Sequence, residues 1–563
     1  MLKLRKTIKT IISDKKKLAL LISVLIIIIG VIPLIFLIYT PDLENPYKIE
    51  SISLTSEDGT KLHAFKYTPI GVTSSYGVVV GHGFCGNAQH MQPMSIELVK
   101  RGFTVINLDF RGHGASEGYL DRFELINDVA AAVEYLENLG YISEIGLVGH
   151  SMGSGAVTSF ARAYPNRVNA TVAIGGIPSN MTNISNLLLA IGLFEQGYTE
   201  EDVLEGLRLY TGLDNVEIGV LYGDFNSGDA TKGIISPFSE HTQEVKDSVI
   251  IHNTVLWFEE AFNGVMAIEF SIIPTIIEVF SYISLFGVVT FCFVIMVYLS
   301  KYLFKRNQVY PEKEILKDAG DISINKLIFY YAILVALIGF VFIIFLEDLF
   351  TGMIPLATSG QTFSIVFGSS IGTIIIYYFL IMRRKENLSI KEFPLKIKEM
   401  SSTNSRLSII FGILAALLLI LAIAGIWHWS VQYTLPSYIE IGTIMGMTLI
   451  YFPFFLIKEF YFRNVQGKLK TTNKIKEYFS MVGIGIFMDS FLIGIIMLIS
   501  WLHLASVPIS ALYLYVWVRF LIYLQFASTW VYMWSGRNIL GSTIFLCIFY
   551  SWMSVIFYPF GFL

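Results

Sequence analysis

The pattern of apolar and polar positions changes at about residue 262. Between residues 42 and 262, short apolar runs alternate with polar segments, which is typical of buried strands connected by helices. Beyond residue 262 the apolar runs approach the roughly 20 residues that cross a bilayer as a helix. We place eight spans near residues 281–302, 326–346, 362–382, 407–427, 440–457, 479–502, 507–532 and 540–562. The pattern predicts an α/β domain with a mostly parallel, doubly wound sheet, followed by an all-α membrane domain at 281–563.

An apolar run at 18–39 precedes the α/β domain and raises the expected number of spans to nine. The basic residues before it, within 1–17, are Lys3, Arg5, Lys6, Lys9, Lys15, Lys16 and Lys17. A cleaved signal peptide is the alternative, but its apolar region is usually shorter and ends in small residues. We therefore expect an uncleaved anchor. The segment 264–280 carries Glu269, Pro274 and Glu278 and is predicted to be a membrane-surface helix.

The distribution of Lys and Arg predicts the orientation of these spans, because basic residues are retained in cytoplasmic loops. Three alternate loops are basic; they contain Lys301, Lys305, Arg306, Lys313, Lys317 and Lys326, then Arg383, Arg384, Lys385, Lys391, Lys396, Lys398 and Arg406, then Lys458, Arg463, Lys468, Lys470, Lys474 and Lys476. The loops between them, 347–361, 428–439 and 503–506, contain neither Lys nor Arg. We predict a multi-pass protein of the cell membrane with a cytoplasmic N-terminus, an extracytoplasmic domain at 42–262 and an extracytoplasmic C-terminus.

Composition agrees with an integral membrane protein whose main partner is the lipid bilayer. Hydrophobic residues make up 54% of the 563 residues and charged residues 15%, and the mean hydropathy is +0.62. The net charge of −4 averages basic inner loops with a mildly acidic domain, and nothing indicates nucleic-acid binding. Cys85, Cys292 and Cys547 are too scattered for a disulfide framework or a metal site, and no nucleotide-binding glycine loop occurs, so we expect no metal and no cofactor.

The sequence Gly149-His150-Ser151-Met152-Gly153 predicts a serine nucleophile. It follows the apolar strand 145–148 and precedes a helix over 154–163, so Ser151 would occupy a tight turn that exposes its hydroxyl. Two glycines allow such a turn because they have no Cβ atom. The helix N-terminus would favour negative charge on a substrate oxygen, with the Met152 amide as one donor.

Two further segments accompany this motif in the same order as in a known family. An apolar strand at 77–81 runs into His82-Gly83-Phe84, where the Phe84 amide could be the second donor to a substrate oxygen. A strand at 103–108 runs into Asp109-Phe110-Arg111-Gly112-His113-Gly114-Ala115-Ser116-Glu117-Gly118. With these motifs, residues 50–262 resemble α/β-hydrolases of the serine aminopeptidase and monoacylglycerol lipase branch. The resemblance implies the fold and says little about the substrate.

A serine needs a histidine to accept its proton and an acid to orient that histidine. The resemblance implies the order nucleophile, acid, histidine, and His241 follows the strand 231–236 where the base is expected; His252 lies inside the next helix and fits less well. Glu195 follows the strand 187–192 and is the preferred acid. Asp224 is the alternative, although no helix separates it from the strand before His241.

Other reactive side chains have simpler interpretations. His82 and His113 lie in glycine-rich turns and are expected to brace the backbone. Cys85 is expected to be a packed side chain. Asp489 and Arg519 lie about halfway along the seventh and eighth spans, and we predict that they pair. An ion pair that fixes helix packing is favoured over a proton or substrate pathway.

These observations predict a membrane serine hydrolase that cleaves an ester, lipid-like by its location, or an amide through an acyl-enzyme on Ser151. The substrate could be a small molecule, a lipid or a peptide. Acyl transfer with the same residues is an alternative, as is a transporter or sensor whose domain at 42–262 processes or binds the substrate. A catalytically inactive binding domain is disfavoured because each position of the triad is filled.

Overall fold

The computed structural model describes most of the chain and its side chains. The described residues are 14–39, 46–71, 75–178, 184–262, 271, 273–304, 322–351, 356–357, 359–383, 387, 389–402, 404–430, 434–469, 473–501 and 511–561. They separate into two compact units. One draws on Met1–Leu25, Phe286–Ile423 and Pro436–Ile556, and the other on Ile26–Leu285, Ala424–Leu435 and Phe557–Leu563.

The second unit contains an eight-stranded, mostly parallel sheet, so the predicted α/β class is confirmed. The strands are β1 (Tyr47–Thr55), β2 (Lys61–Pro69), β3 (Tyr76–Gly81), β4 (Thr104–Leu108), β5 (Glu144–His150), β6 (Ala170–Ile174), β7 (Leu187–Gly192) and β8 (Thr231–Ser236). Their order is β1-β2-β4-β3-β5-β6-β7-β8. Pairing is parallel from β4 to β8 and antiparallel where β2 meets β1 and β4. The antiparallel pair β1 and β2 is not anticipated by the sequence pattern.

Helices cover both faces of this sheet, because successive side chains of a strand point to opposite faces. In β3, Val79 faces one apolar cluster whereas Val78 and Val80 face the other. The helices are α1 (Lys15–Tyr39), which leads into the unit, and α2 (Gln92–Lys100), α3 (Leu125–Glu137), α4 (Met152–Ala163), α5 (Glu200–Thr211) and α6 (Ser248–Phe262). The cluster on one face draws on α3, α4 and α5, and the cluster on the other on α2 and α6. Burial on two sides explains why the parallel strands are continuously apolar.

The chain after α6 is helical in its described parts. The helices are α7 (Ile273–Leu303), α8 (Ile324–Thr351), α9 (Ser359–Tyr377), α10 (Phe393–Ser401), α11 (Ser405–Ser430), α12 (Tyr438–Gln466), α13 (Lys474–Trp501), α14 (Ala511–Trp534) and α15 (Ile539–Phe557). Within the described residues, five helices are long and apolar enough to cross a membrane: Lys15–Leu37, Thr275–Leu303, Ser405–His428, Ile439–Gln466 and Ile539–Phe557. The helical, apolar character predicted for 281–563 is confirmed.

The segment predicted as a membrane-surface helix, 264–280, is described only in part. Residues 263–270 and 272 lie outside the described residues. From Ile273 onward the backbone is helical without interruption as far as Leu303. The second half of the segment is therefore continuous with the span placed at 281–302.

Candidate active site

Ser151 occupies the sharp turn between β5 and α4. Its backbone has φ 53° and ψ −114°, a conformation that side-chain-bearing residues rarely adopt. The turn is crowded: a Cβ on Gly149 would lie 2.2 Å from the Gly153 carbonyl oxygen, and one on Gly153 would lie 2.5 Å from the Gly81 carbonyl oxygen. Only glycine fits at either position, so the two glycines allow the strained turn on which Ser151 is presented.

Ser151, His241 and Glu195 form a continuous chain of hydrogen bonds. The Ser151 Oγ is 2.9 Å from the His241 Nε2, and the His241 Nδ1 is 2.7 Å from the Glu195 Oε2. The side chains of His241 and Glu195 are 7% and 1% exposed, respectively, so bulk water competes little for the bond between them. The structure thus brings together the serine, the histidine and the preferred acid of the sequence analysis.

The topology explains why Glu195 and Asp224 differ. Strands β5, β7 and β8 end at one edge of the sheet, which we call the carboxyl edge, and Ser151, Glu195 and His241 follow directly on these three strands. Asp224 lies at the opposite edge, because its neighbour Tyr222 pairs with Thr231, the first residue of β8. Its carboxylate is exposed and caps its own turn by accepting the Asn226 amide at 2.8 Å.

The loop after β3 lies beside Ser151, as a donor of hydrogen bonds to a substrate oxygen requires. A Cβ on Gly83 would lie 3.1 Å from the Ser151 Cβ, so the backbone just before Phe84 touches the nucleophile. Met152 is the first residue of α4, and its amide is one of the helix N-terminal groups that have no partner within the helix. Both backbone segments named in the sequence analysis therefore adjoin the Ser151 hydroxyl.

The family model for the α/β-hydrolase fold matches residues 77–212. This segment is an α/β-hydrolase domain. The match includes the Ser151 turn and Glu195 and ends before His241. Assignment to the serine aminopeptidase and monoacylglycerol lipase branch stays a prediction.

Similar proteins match a part of the chain. The bifunctional esterase/perhydrolase of Acinetobacter calcoaceticus is 32% identical over 132 residues, which are 23% of this chain and 45% of that protein. A non-heme haloperoxidase of Rhodococcus erythropolis is 30% identical over 186 residues, 32% of this chain and 64% of that protein. The chain spans about half the length of the curated relatives it matches. The solved esterase Pf2001 of Pyrococcus furiosus has 19% identity and a TM-score of 0.32, covering 38% of this chain and 93% of that one.

Two histidines of the hydrolase domain hold the backbone around the site. The His82 Nε2 accepts the Phe110 amide at 3.0 Å, and its Nδ1 lies 2.8 Å from the Gly83 carbonyl oxygen. The His113 Nδ1 lies 3.0 Å from the Arg111 carbonyl oxygen. Burial lowers the pKa of both imidazoles, so they are neutral and suited to such bonds. Within the described residues neither histidine hydrogen-bonds to Ser151, and their bonds go to backbone groups, which agrees with a bracing role.

Glu244, which is not among the residues predicted from the sequence, is buried beside His241. Its Oε1 accepts the Gly192 amide at 2.6 Å, while its Oε2 lies 3.8 Å from the His241 Nδ1 and 3.4 Å from the His150 Nε2. Burial, followed by the nearby charge of Glu195, raises the pKa of the Glu244 carboxyl well above its usual value. The buried site therefore favours the protonated form of the Glu244 carboxyl. The feature of the sequence that could have identified Glu244 is its position three residues after His241.

His150, His241 and Glu244 place their ligand atoms within 4.8 Å of one another, which raises the question of a metal site. The arrangement does not fit one. Both ring nitrogens of His241 are engaged, with Ser151 and Glu195, and the His150 Nε2 bonds to the His241 carbonyl oxygen at 2.9 Å. A metal ion would have to displace these bonds.

Asp489 in the helical unit has partners other than the predicted one. The Lys458 Nζ lies 2.8 Å from its Oδ1, and the Gln525 Nε2 donates to its Oδ2 at 2.7 Å. Arg519, its predicted partner, lies in α14, and its side chain is outside the described part of the structure. The buried Asp489 is thus already paired through α12 and α14.

A second polar cluster surrounds Arg463 in α12. The Arg463 guanidinium binds both oxygens of Glu459, at 2.9 and 3.0 Å, and both residues are buried. Gln466, Thr529 and Ser542 complete the cluster. Lys458 and Arg463 do not lie in a loop after a span ending at 457, as their charge predicts, because α12 continues to Gln466. Hydropathy ended the span too early because paired charges inside a helix are scored as if they were solvated.

Proposed function

We propose that the protein is a membrane serine hydrolase that cleaves an ester, or an amide, through an acyl-enzyme on Ser151. The observation that carries the proposal is the chain of hydrogen bonds from Ser151 through His241 to Glu195. The combination of nucleophile, base and orienting acid is what acyl transfer requires. The esterase named among the relatives favours an ester over an amide.

The reaction follows from these groups. The Ser151 oxygen attacks the acyl carbon while its proton passes to the His241 Nε2, and Glu195 stabilises the resulting imidazolium through Nδ1. The amides of Phe84 and Met152 stabilise the negative oxygen of the tetrahedral intermediate. His241 then gives its proton to the departing alcohol or amine as the bond to the acyl carbon breaks. Water, deprotonated by His241, releases the acid and restores Ser151.

Labelling with a fluorophosphonate tests this chemistry. The probe phosphonylates a serine only where a base activates it, so wild-type protein in detergent should be labelled on Ser151. Ser151→Ala and His241→Ala should abolish labelling, whereas Ser53→Ala, at an exposed serine of β1, should not. Absence of wild-type labelling under conditions in which a known serine hydrolase reacts would refute the proposal.

We further propose that the hydrolase domain lies outside the cytoplasmic membrane and the N-terminus inside. The basic and Lys/Arg-free loops support this orientation. The compact units give independent support: residues from Ala424–Leu435 and Phe557–Leu563 belong to the same unit as the hydrolase domain, and the orientation assigns both to its side of the membrane. A membrane-impermeant fluorophosphonate applied to intact cells should label Ser151; labelling only after lysis would reverse the orientation.

Two polar clusters within the apolar helices favour a second function. In this function the helical unit moves an ion or a substrate that the hydrolase domain processes. These clusters are Lys458 with Asp489 and Gln525, and Glu459 with Arg463. Charges inside apolar helices are costly and are often functional. Uptake into proteoliposomes that depends on Asp489 and not on Ser151 would support transport. For acyl transfer, the products formed with and without an added alcohol distinguish it from hydrolysis.

A further inference from the structure

The carboxyl edge of the hydrolase sheet is joined to the outer ends of two apolar helices. The first join is at Ser248, the first residue of α6, whose Oγ lies 2.9 Å from the Thr275 Oγ1. Thr275 begins the apolar stretch Thr275–Leu303, which is long enough to span a bilayer. Ser248 follows His241 by seven residues, with Glu244 between them packed against the His241 ring. This join is thus immediately behind the catalytic histidine.

The second join is on the other side of Ser151. The amide of Phe560 donates to the Gly112 carbonyl oxygen at 2.9 Å, and the Phe560 carbonyl accepts the Leu120 amide at 2.6 Å. Phe560 follows the apolar helix Ile539–Phe557 by three residues. The loop it binds also contains His113, whose ring lies 6.3 Å from that of Phe84. The loop after β4 is thereby tied to a helix end on one side and to the Phe84 loop on the other.

The most exposed apolar side chains of the domain also follow strands that end at the carboxyl edge. Among the described residues of the hydrolase domain, the three exposed phenylalanines, Phe123, Phe194 and Phe238, all follow strands at the carboxyl edge. Phe123 and Phe238 are 91% and 79% exposed, more than any other large apolar side chain of the domain. Phe123 lies three residues after Leu120. Exposed aromatic side chains of this kind are typical of surfaces that contact lipid.

We propose that the carboxyl edge faces the outer leaflet, and that Ser151 takes its substrate, an amphiphilic ester, directly from the bilayer of its own membrane. Both joins tie this edge to the ends of α7 and α15, and the three exposed phenylalanines follow strands that end at the same edge. An ester at the headgroup boundary would then reach Ser151 while its acyl chain stays in contact with Phe123 and Phe238. This inference rests on the proposed serine hydrolase activity.

The test uses the full chain in proteoliposomes and a phosphonate ester with two long alkyl chains, which keep it in the vesicle in which it is incorporated. We expect labelling of Ser151 when probe and protein share a vesicle, and none when they are in separate vesicles. A short, water-soluble fluorophosphonate should label Ser151 in both preparations. Reaction with the soluble probe but not with the two-chain probe in the same vesicle would overturn the inference alone. Reaction with neither probe would contradict the serine hydrolase itself.

Single-residue variants distinguish a specific role of the carboxyl edge from a general effect of surface hydrophobicity. Phe123→Ser and Phe238→Ser should each lower the ratio of two-chain to soluble-probe labelling rates by about ten-fold, as expected for the loss of one buried aromatic contact. Leu209→Ser removes a similarly exposed apolar side chain from the last turn of α5, which leads back to the opposite edge where β8 begins, and should leave the ratio unchanged. An equal fall in all three variants would contradict a specific role for the edge.

Discussion

At the scale of single residues, the site depends on side chains whose surroundings decide their chemistry. Ser151 is held in a strained backbone, His241 has both ring nitrogens occupied, and Glu195 is buried beside Glu244. The sequence predicts the first three through motif order and strand position. It does not predict Glu244, because a carboxyl becomes notable only when burial and a second carboxyl raise its pKa, and both are tertiary properties.

Glu195→Gln should lower the rate of ester hydrolysis by about 10³- to 10⁴-fold, because an amide does not hold the histidine in the tautomer that accepts the serine proton. Asp224→Asn is the matched control and should keep the wild-type rate, since Asp224 caps an exposed turn at the opposite edge. The measurement is kcat/KM with a p-nitrophenyl ester. The reverse ranking of the two variants would make Asp224 the acid.

Glu244→Gln should alter the pH dependence of stability. The folded protein holds the Glu244 proton above the usual pKa of 4.5, so the unfolded chain releases its proton first as the pH rises. Stability is therefore lost with increasing pH, by about 1.4 kcal/mol per unit up to the folded pKa. Glutamine does not titrate, so the Tm of the variant relative to wild type should rise as the pH increases above about 4.5. A difference independent of pH would show that Glu244 is ionised.

At the scale of elements, the alternation of strand and helix could be predicted, and the contacts between distant elements could not. Strands β3 to β8 are apolar and end in glycines or turns, so their pattern is local. Pairing of β2 with β4, or of Phe560 with Gly112, depends on residues far apart in sequence. The C-terminal end of α12 was not predicted for the same reason: Lys458 and Arg463 are tolerated in the helix because of partners on the same and on other helices.

Gly112→Ala tests the join to the C-terminal segment. Gly112 has φ +74°, and a Cβ there would lie 2.4 Å from the Phe560 carbonyl oxygen. The substitution should weaken the join, cost about 1 to 3 kcal/mol of stability, and slow fluorophosphonate labelling. Gly140→Ala is the control, because Gly140 also has a positive φ, +73°, but has nothing within 4 Å of its added Cβ. Equal effects in the two variants would assign the loss to backbone strain alone.

Asp489→Leu should destabilise the helical unit by about 3 kcal/mol, since it leaves the Lys458 ammonium without its carboxylate in an apolar setting. Adding Lys458→Met should recover most of that loss, because the double variant removes both charges. Thermal unfolding in detergent measures both. If the double variant is no more stable than Asp489→Leu, Lys458 is not the principal partner of Asp489.

At the scale of the whole molecule, the sequence predicts an α/β domain followed by an apolar helical region. One compact unit contains the α/β domain, and the other contains most of the apolar helices. Hydropathy and the spacing of basic residues carry that information because the bilayer constrains every span in the same way. Which edge of the domain meets the helix ends is not encoded in any local pattern. It depends on two joins, at Ser248 and at Phe560, between residues that are far apart along the chain or lie in polar loops.

The join at Phe560 also sets an order of events during biosynthesis. All strands of the hydrolase sheet have left the ribosome long before residue 560 is made, with the helices from Ile273 to Phe557 in between. Until then, the Leu120 amide and the Gly112 carbonyl lack the partner that they have in the finished protein. A nascent chain halted within the helical region would thus carry a sheet whose loop after β4 lacks two hydrogen bonds, and these can form only after α15 has been made.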